Sequence, residues 1–465
     1  MEGEKIHFIG VGGISMSALA EFCRLCGYEV SGSDRCGSEK LKRLSDIGVK
    51  VFIGHSPENV EDADVSVYTS AISGDNPELV RAAKTSRLLK RSELLGAILE
   101  NYKKSVCVSG SHGKTTATSM IAHILICADK NPTVFLGGED ADFGNLRCGG
   151  NDYCVAEACE YKKNFLDLKP SIAVVLNVDN DHQDCFDGIK DEIAAFNSFI
   201  KGAVAVVNAD DAGAREVFNS STVNFGIKNR AVYTAKYVIN GNAGYSFTFY
   251  KYGKKAGRIR LKVKGYHNIY NALAALSVSD VMGIPFDTAR RGLESFKGVK
   301  RRAEEIGEIS GIRAVADYAH HPREITAALS SLGGYDRDTL VIFQPHTYSR
   351  TEKLMTEFVG CLSEAKNLII YKTYPAREKY SRRGSALTLY KNVKKLSVSV
   401  KYAQTRKELK TLIDGYAERV KTVLILGAGD IYDVAEKLLT KNEEKSLKTL
   451  AKKAKKLYAE SNLKL

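Results

Sequence analysis

Proline is scarce in this chain, with 8 residues in 465, and the hydrophobic and charged fractions of 44% and 26% are those of an ordinary globular protein. That composition excludes a long disordered polymer. Long apolar runs are also missing. None approaches the roughly 20 residues that cross a bilayer, and the start, Met1-Glu2-Gly3-Glu4-Lys5, lacks the apolar core of a secretory signal. A soluble, cytoplasmic protein is expected. Cysteine is present ten times but without a disulfide framework; Cys107, Cys127 and Cys154 sit inside apolar strand and helix segments and are expected to be reduced. Cys23 and Cys26 have zinc-ligand spacing but no second pair nearby, and they read as two residues of an amphipathic helix.

At 465 residues the chain exceeds the roughly 250 to 300 at which single cores stop growing, so two or three domains are expected. The net charge of +13 suits nucleic acid, a membrane surface or an acidic small substrate. Part of it lies in the Lys-rich end, with Lys452, Lys453, Lys455 and Lys456, which reads as a solvated helical tail from about residue 440. RNA or membrane contact by that tail is a second reading. No basic and aromatic strand motif accompanies the charge, so no nucleic-acid partner and no membrane insertion are expected.

Along the chain the pattern is α/β, in three stretches. Residues 1–104 alternate short apolar strands (Ile6–Ile9, Tyr28–Val30, Val49–Ile53, Val65–Tyr68) with helical periods, as in a Rossmann-like parallel sheet. Its first turn, Gly10-Val11-Gly12-Gly13-Ile14-Ser15, has two of the three dinucleotide glycines and Ser15 at the third place, and Asp34 follows the second strand. From these residues alone, NAD and another nucleotide diphosphate are comparable ligands. Residues 105–298 form a second unit with strands Ser105–Val108, Tyr153–Ala156, Ile172–Asn177 and Ala203–Asn208. A β-rich stretch from Ala231 to Lys264, with the turn Asn240-Gly241-Asn242, then precedes a helix near His267. Residues 299–465 form a third, Rossmann-like series with strands Ile312–Asp317, Thr339–Gln344, Leu368–Tyr371 and Thr422–Leu426, and carry the basic tail.

The sharpest chemical signal is Ser109-Gly110-Ser111-His112-Gly113-Lys114-Thr115-Thr116, between a strand and a helix. A phosphate cradle needs amides that approach closely, a point charge and a hydroxyl for magnesium; Gly110 with Gly113, Lys114 and Thr115 provide them. The general P-loop has a further glycine where this chain has Val108, so the match is to a shortened variant. Glu157 closes a strand, where carboxylates face the crevice of an open sheet and can hold magnesium. His182, in Asn180-Asp181-His182, reads by itself as an ordinary loop residue.

Taken together, the phosphate loop, Glu157, Asn180-Asp181-His182, Gly265-Tyr266-His267-Asn268-Ile269-Tyr270-Asn271, Arg301-Arg302 and Asp317-Tyr318-Ala319-His320-His321-Pro322 resemble the Mur ligases of peptidoglycan synthesis. His7 to Ser17, Phe343-Gln344-Pro345-His346 and Gly427-Ala428-Gly429-Asp430-Ile431-Tyr432 extend the likeness from Lys5 to about Leu439. The resemblance implies an ATP- and Mg2+-dependent ligase joining L-alanine to the carboxylate of UDP-N-acetylmuramate through an acyl phosphate. It implies UDP-substrate binding by Gly10, Gly12, Gly13, Ser15 and Asp34, and ATP binding by Gly110, Ser111, His112, Gly113, Lys114, Thr115, Thr116, Asn268, Asn271, Arg302 and Asp317. Metal binding by Thr115, Glu157 and His182 follows, with Lys114, His182 and Arg302 catalytic. His346, Tyr348, Arg350 and Arg377 are candidates for the amino acid, and Thr347 stands where the family usually has Arg. Rival readings are a ligase that attaches a whole peptide to the same sugar nucleotide during recycling, and, from another class, a nucleotide-binding oxidoreductase.

Overall fold

A computed structural model describes residues 3–179, 185–241, 244–376, 378–396 and 399–439. His182 with Asn180 and Asp181, Asn242, Arg377 and the tail from 440 lie outside the described residues. Three α/β sheets make up the chain, which divides into two compact units, Met1–Lys300 and Arg301–Leu465.

In the first unit, β1 (Lys5–Ile9), β2 (Glu29–Asp34), β3 (Lys50–Ile53), β4 (Val65–Tyr68) and β5 (Arg87–Lys90) form an all-parallel sheet ordered β3-β2-β1-β4-β5. The order reverses beside β1, so the loop after it opens on the topological switch point, where open sheets bind ligands. β2 is longer than the expected Tyr28–Val30. It continues through Ser31-Gly32-Ser33 because β1 and β3 pair with it on both sides.

The second sheet of this unit comprises β6 (Lys104–Ser109), β7 (Thr133–Asp140), β8 (Gly144–Arg147), β9 (Tyr153–Glu157) and β10 (Ile172–Val175), then β11 (Val204–Asn208), β12 (Val223–Gly226), β13 (Tyr233–Gly241), β14 (Gly244–Lys251) and β15 (Lys254–Arg260). Its order is β15-β14-β13-β12-β11-β10-β6-β9-β7-β8, with β13 to β15 an antiparallel ribbon at one end. Val106 and Val108 of β6 are wholly buried in one apolar cluster with the helices Lys114–Cys127 and His267–Val281. On the first of these helices every residue from Thr115 to Leu125 is buried, so it has no solvent face. It is enclosed between the sheet and a second layer, and its buried Ser119 and His123 are satisfied by Asp140. Val299 bridges to Asp140 and the Lys300 amide donates to the Glu139 carbonyl at 2.8 Å, which keeps both residues with this unit, two positions past Gly298.

The second unit holds β16 (Glu304–Ile309), β17 (Ile312–Asp317), β18 (Thr339–Phe343), β19 (Leu368–Tyr371), β20 (Val400–Ala403) and β21 (Thr422–Leu426), ordered β16-β17-β21-β18-β19-β20, with only β16 antiparallel. Apolar clusters cover both faces, and all five residues of β18 are buried. The sequence pattern omits β5, β7, β8, β12, β16 and β20. β5 (Arg-Leu-Leu-Lys) has two apolar residues between charges, and β16 is an acidic edge; pairing to neighbours makes both strands. Among the described residues no helix is long and apolar enough to cross a membrane.

Candidate active site

The first glycine loop leaves β1 and enters the helix Ile14–Leu25, whose N-terminus has no side-chain cap. Its amides are therefore available to an anion. Asp34 accepts the Gly12 amide at 2.9 Å and the Arg35 amide at 2.8 Å, which fixes the loop to the end of β2. Gly10, Gly12, Gly13, Ser15 and Asp34 thus lie together at the end of β1 and β2, with Asp34 holding the loop.

The second loop follows β6. Gly113, with φ +87°, is the last residue before the helix Lys114–Cys127, and a side chain there would meet Asn271 Oδ1 at 2.6 Å. Only glycine accepts both conditions. Asn271 donates to Asn268 Oδ1 at 2.9 Å, and Asn268 donates to the Lys264 carbonyl at 2.6 Å, so Asn271 stands against the loop at Gly113 and Asn268 holds Asn271 in place. On the other side Asn177 accepts the His112 amide at 2.7 Å and donates to the His112 carbonyl at 3.0 Å, while the Asp179 amide donates to Ser111 Oγ at 3.0 Å.

Lys114 Nζ donates to the Gly110 and Ser111 carbonyls and lies 3.0 Å from both carboxylate oxygens of Glu160, a fully buried side chain. Burial pulls the ammonium pKa down, but the Glu160 carboxylate, with Cys159 and Glu157, outweighs it and the pKa is raised. Thr115 and Thr116 are buried in the first turn of the helix. Glu157, at the end of β9, accepts the Gly137 amide at 2.5 Å. A side chain at Gly137 would stand 2.8 Å from Glu157 Oε2, and one at Gly138 would stand 2.9 Å from Thr115 Cγ2. The bare Gly137-Gly138 stretch of β7 thus lets both oxygen donors approach one strand. A hydroxyl and a carboxylate are the hard donor set that suits magnesium.

The first loop borders a small crevice beside β9 and the Gly137 stretch of β7. Ser15 of the first loop lines it together with Gly137, Glu157 and Arg91, the first residue of the helix Arg91–Leu99. Arg91 is half-buried, and no carboxylate pairs with it among the described residues. An unpaired guanidinium beside a metal-type carboxylate and an anion-binding helix start is suited to hold an anionic part of a substrate between them.

In the second unit, β17, β18 and β21 end side by side and their loops form one cluster. Asp317, at the end of β17, accepts the Ala303 and Ala319 amides at 2.9 Å each. Burial raises its pKa against the opposing pull of Arg302 and these amides. Arg302 lies over the Tyr318 ring at 5.2 Å. After β18, His346 stacks on Tyr374 at 5.4 Å and meets His320 edge-on at 5.8 Å, and Arg350 donates to the His346 carbonyl at 3.1 Å. Burial, then His320 and Arg350, push the His346 pKa down to about 4, so the ring is neutral at pH 7. His321 begins the helix Pro322–Ser331 as its capping residue, which accounts for it structurally. Thr347 donates to Glu378 at 2.6 Å, and the same carboxylate accepts the Ser349 amide at 2.8 Å, so in place of a cation this chain has a hydroxyl that fastens its own loop.

Three family descriptions match in series: Mur ligase family, catalytic domain, over residues 5–103; Mur ligase middle domain over 108–279; and Mur ligase, glutamate ligase domain over 301–429. The chain belongs to the Mur ligase family. This Mur ligase is 40% identical to the UDP-N-acetylmuramate--L-alanine ligase of Clostridium novyi (strain NT), over 94% of its own length and 97% of the relative's. It is 41% identical to the enzyme of the same name from Caldanaerobacter subterraneus subsp. tengcongensis, over 95% and 98%. The crystal structure of UDP-N-acetylmuramate-alanine ligase from Thermotoga maritima superposes with a TM-score of 0.81 at 30% identity, covering 93% of this chain and 98% of that one.

Glu160, Asn177 and Arg91 are site features of this Mur ligase that motif reading did not single out. For Glu160 a signal existed: a buried lysine needs a counter-ion, and the carboxylate three residues past Glu157 is the local supply.

Proposed function

We propose that this Mur ligase uses ATP to join L-alanine to the carboxylate of UDP-N-acetylmuramate, releasing ADP and phosphate. The observation that carries the reading is the crevice in which Ser15 of the first loop, Arg91 and Glu157 face one another. It places Glu157, the candidate metal carboxylate, beside the loop that would bind the sugar nucleotide. A carboxylate does not react with an amine at neutral pH, because oxide is too poor a leaving group. Its oxygen therefore attacks the γ-phosphorus of ATP, ADP leaves, and the acyl phosphate that results is open to the amine. The amine nitrogen then attacks the acyl carbon, phosphate departs, and the nitrogen loses its proton.

Lys114 screens the approach of two anions and stabilises charge on the transferring phosphoryl, exchanging Glu160 for phosphate oxygens as ATP binds. Thr115 and Glu157 are the residues that would hold Mg2+, which supplies charge neutralisation at the phosphates. His182 is assigned a second such position by resemblance. The loop of Gly110, Ser111, His112, Gly113 and Thr116 cradles the phosphates, with Ser111 and His112 held in place through their amides by Asn177 and with Asn268 and Asn271 behind Gly113. Arg302 and Asp317 serve the phosphates and ribose, and His346, Arg350 and Arg377 the amino acid. Arg91 orients the anionic end of the sugar nucleotide. ATP and a UDP-sugar are cytoplasmic metabolites, which supports a cytoplasmic location.

The test is phosphate release with UDP-N-acetylmuramate and, in turn, L-alanine, glycine, L-serine and the L-alanyl-γ-D-glutamyl-diaminopimelate tripeptide. Release with L-alanine is expected. Release with the tripeptide but not with L-alanine would assign the chain to recycling instead.

A further inference from the structure

From Val217 to Ser279 the chain has no Asp or Glu, and between Lys228 and Lys264 it has ten Lys and Arg. This stretch is the β13 to β15 ribbon and its approaches. The register sorts its side chains. Phe247 and Phe249 of β14, with Ala235 and Ile259 opposite or beside them, are buried on the inner face, and a side chain at Gly257 would meet the Phe286 ring at 2.4 Å. Ser246, Thr248 and Tyr250 therefore point outward. Across from them stand Ile239 and Arg260 at Ser246, Lys236 and Arg258 at Thr248, and Lys255 at Tyr250. The outer face thus collects Lys236, Lys255, Arg258 and Arg260 around one isoleucine and one tyrosine.

None of these four cations makes an ion pair among the described residues. Arg258 donates to Ser246 Oγ at 2.7 Å, and Lys236 Nζ sits over the Tyr250 ring at 5.0 Å. At the border Glu294 accepts the Arg260 backbone amide but is paired with Arg290. Lysines on an edge strand discourage edge-to-edge aggregation. That purpose accounts for Lys254 and Lys255 on β15; it does not account for cations in register on β13, nor for Ile239, 55% exposed on the same face, or Tyr237, 70% exposed in the bulge beside it.

We propose that this ribbon face docks the enzyme peripherally on an anionic lipid surface. Cations serve headgroup phosphates, and an exposed isoleucine with an exposed tyrosine beside it fits the boundary between headgroups and acyl chains. A single-stranded nucleic acid would need a row of open aromatic platforms; on this face the Tyr250 ring is covered by Lys236, which leaves Tyr237 alone. The site is independent of the catalytic reading.

The test is co-sedimentation of the full chain with vesicles of phosphatidylglycerol and phosphatidylcholine, against phosphatidylcholine alone. We expect binding only to the anionic vesicles, weakened by salt. Each ribbon charge contributes about fivefold, so Lys236→Glu with Arg258→Glu lowers affinity about 25-fold or more while phosphate release with substrates is unchanged. Ile239→Ser weakens binding without altering charge. The proposal is overturned if binding to both vesicle types is equal or absent, or if the ribbon variants bind as the parent does. It is equally overturned if reversing Lys452, Lys453, Lys455 and Lys456 alone abolishes binding, or if the ribbon charges serve a single-stranded oligonucleotide and not the vesicles.

Discussion

Replacing Glu160 by Gln keeps the shape of the side chain and removes the charge facing Lys114. Both carboxylate oxygens lie 3.0 Å from Nζ, and the carboxylate is fully buried while Lys114 is 17% exposed. Removing one partner of a buried pair costs about 3 to 5 kcal/mol. Lys114 keeps the Gly110 and Ser111 carbonyls and some solvent, so the cost falls at or just below that range, about 2 to 3 kcal/mol. At roughly 2 to 4 °C per kcal/mol the first unit should melt about 4 to 12 °C earlier in Glu160→Gln. Because the folded pKa of Lys114 is raised, this contribution is complete below the unfolded value near 10.5 and disappears only as pH rises through the folded value. The deficit should therefore be constant from pH 6 to 9. ATP need no longer displace a carboxylate, so calorimetric affinity for ATP should be equal or tighter than in the parent. Differential scanning calorimetry with and without ATP reads both effects. A variant that melts at the parental temperature, or binds ATP ten times more weakly, refutes the counter-ion reasoning and makes Glu160 a direct ligand.

Glu78, fully buried in the first unit, accepts from Asn59 at 2.6 Å and contacts Ser33, His55 and His7; burial raises its pKa, but those hydrogen bonds prevail and hold it at about 2. A depressed carboxylate stabilises above its unfolded pKa near 4.5 and ceases to as pH falls through about 2, so Glu78→Gln should lose about 3 kcal/mol at pH 7 and less at pH 3, by urea unfolding. Parental and variant curves with equal separation at both pH values would contradict this. Gly137→Ala pushes a methyl into the Glu157 carboxylate and should raise the Mg2+ concentration for half-maximal activity about 10- to 100-fold, with metal-free ATP binding intact; an unchanged metal titration would remove Glu157 from the metal's surroundings. His346→Asn should raise KM for L-alanine about tenfold, the loss of one hydrogen bond, and leave KM for the sugar nucleotide alone. Since the His346 pKa is about 4, that KM difference should be flat from pH 5.5 to 8 in steady-state assays, and a break near 6.5 would show the ring titrating normally.

What sequence made legible is what is local. The two glycine loops, Glu157 at a strand end and the Asp317 and His346 loops are each read from a few consecutive residues, although the partners that fix them, such as Asp34 for Gly12, Gly137 for Glu157 and Tyr374 for His346, come from other elements. Arg91 is different: its meaning comes from facing Ser15 and Glu157, far away in the chain. Glu78 meets Ser33 across 45 residues. The cationic ribbon face escaped because its four members sit on two strands, two of them beyond register shifts, and only pairing puts them on one side. Masking of β5 and β16 by charge has the same origin, in neighbours that the local pattern does not name.

The helix Lys114–Cys127 has a consequence of its own. Eleven consecutive side chains, Thr115 to Leu125, are enclosed, and close-packed interiors transmit strain and resist displacement. There is no side to which this rod can slide without opening a void or driving into a neighbour. The phosphate loop is therefore mounted on a foundation, and its aim is as stiff as the core. A small change near Leu125, three turns away, should reach Lys114 as an error in position, so the tolerance of the chemistry is set by apolar residues that never touch a substrate.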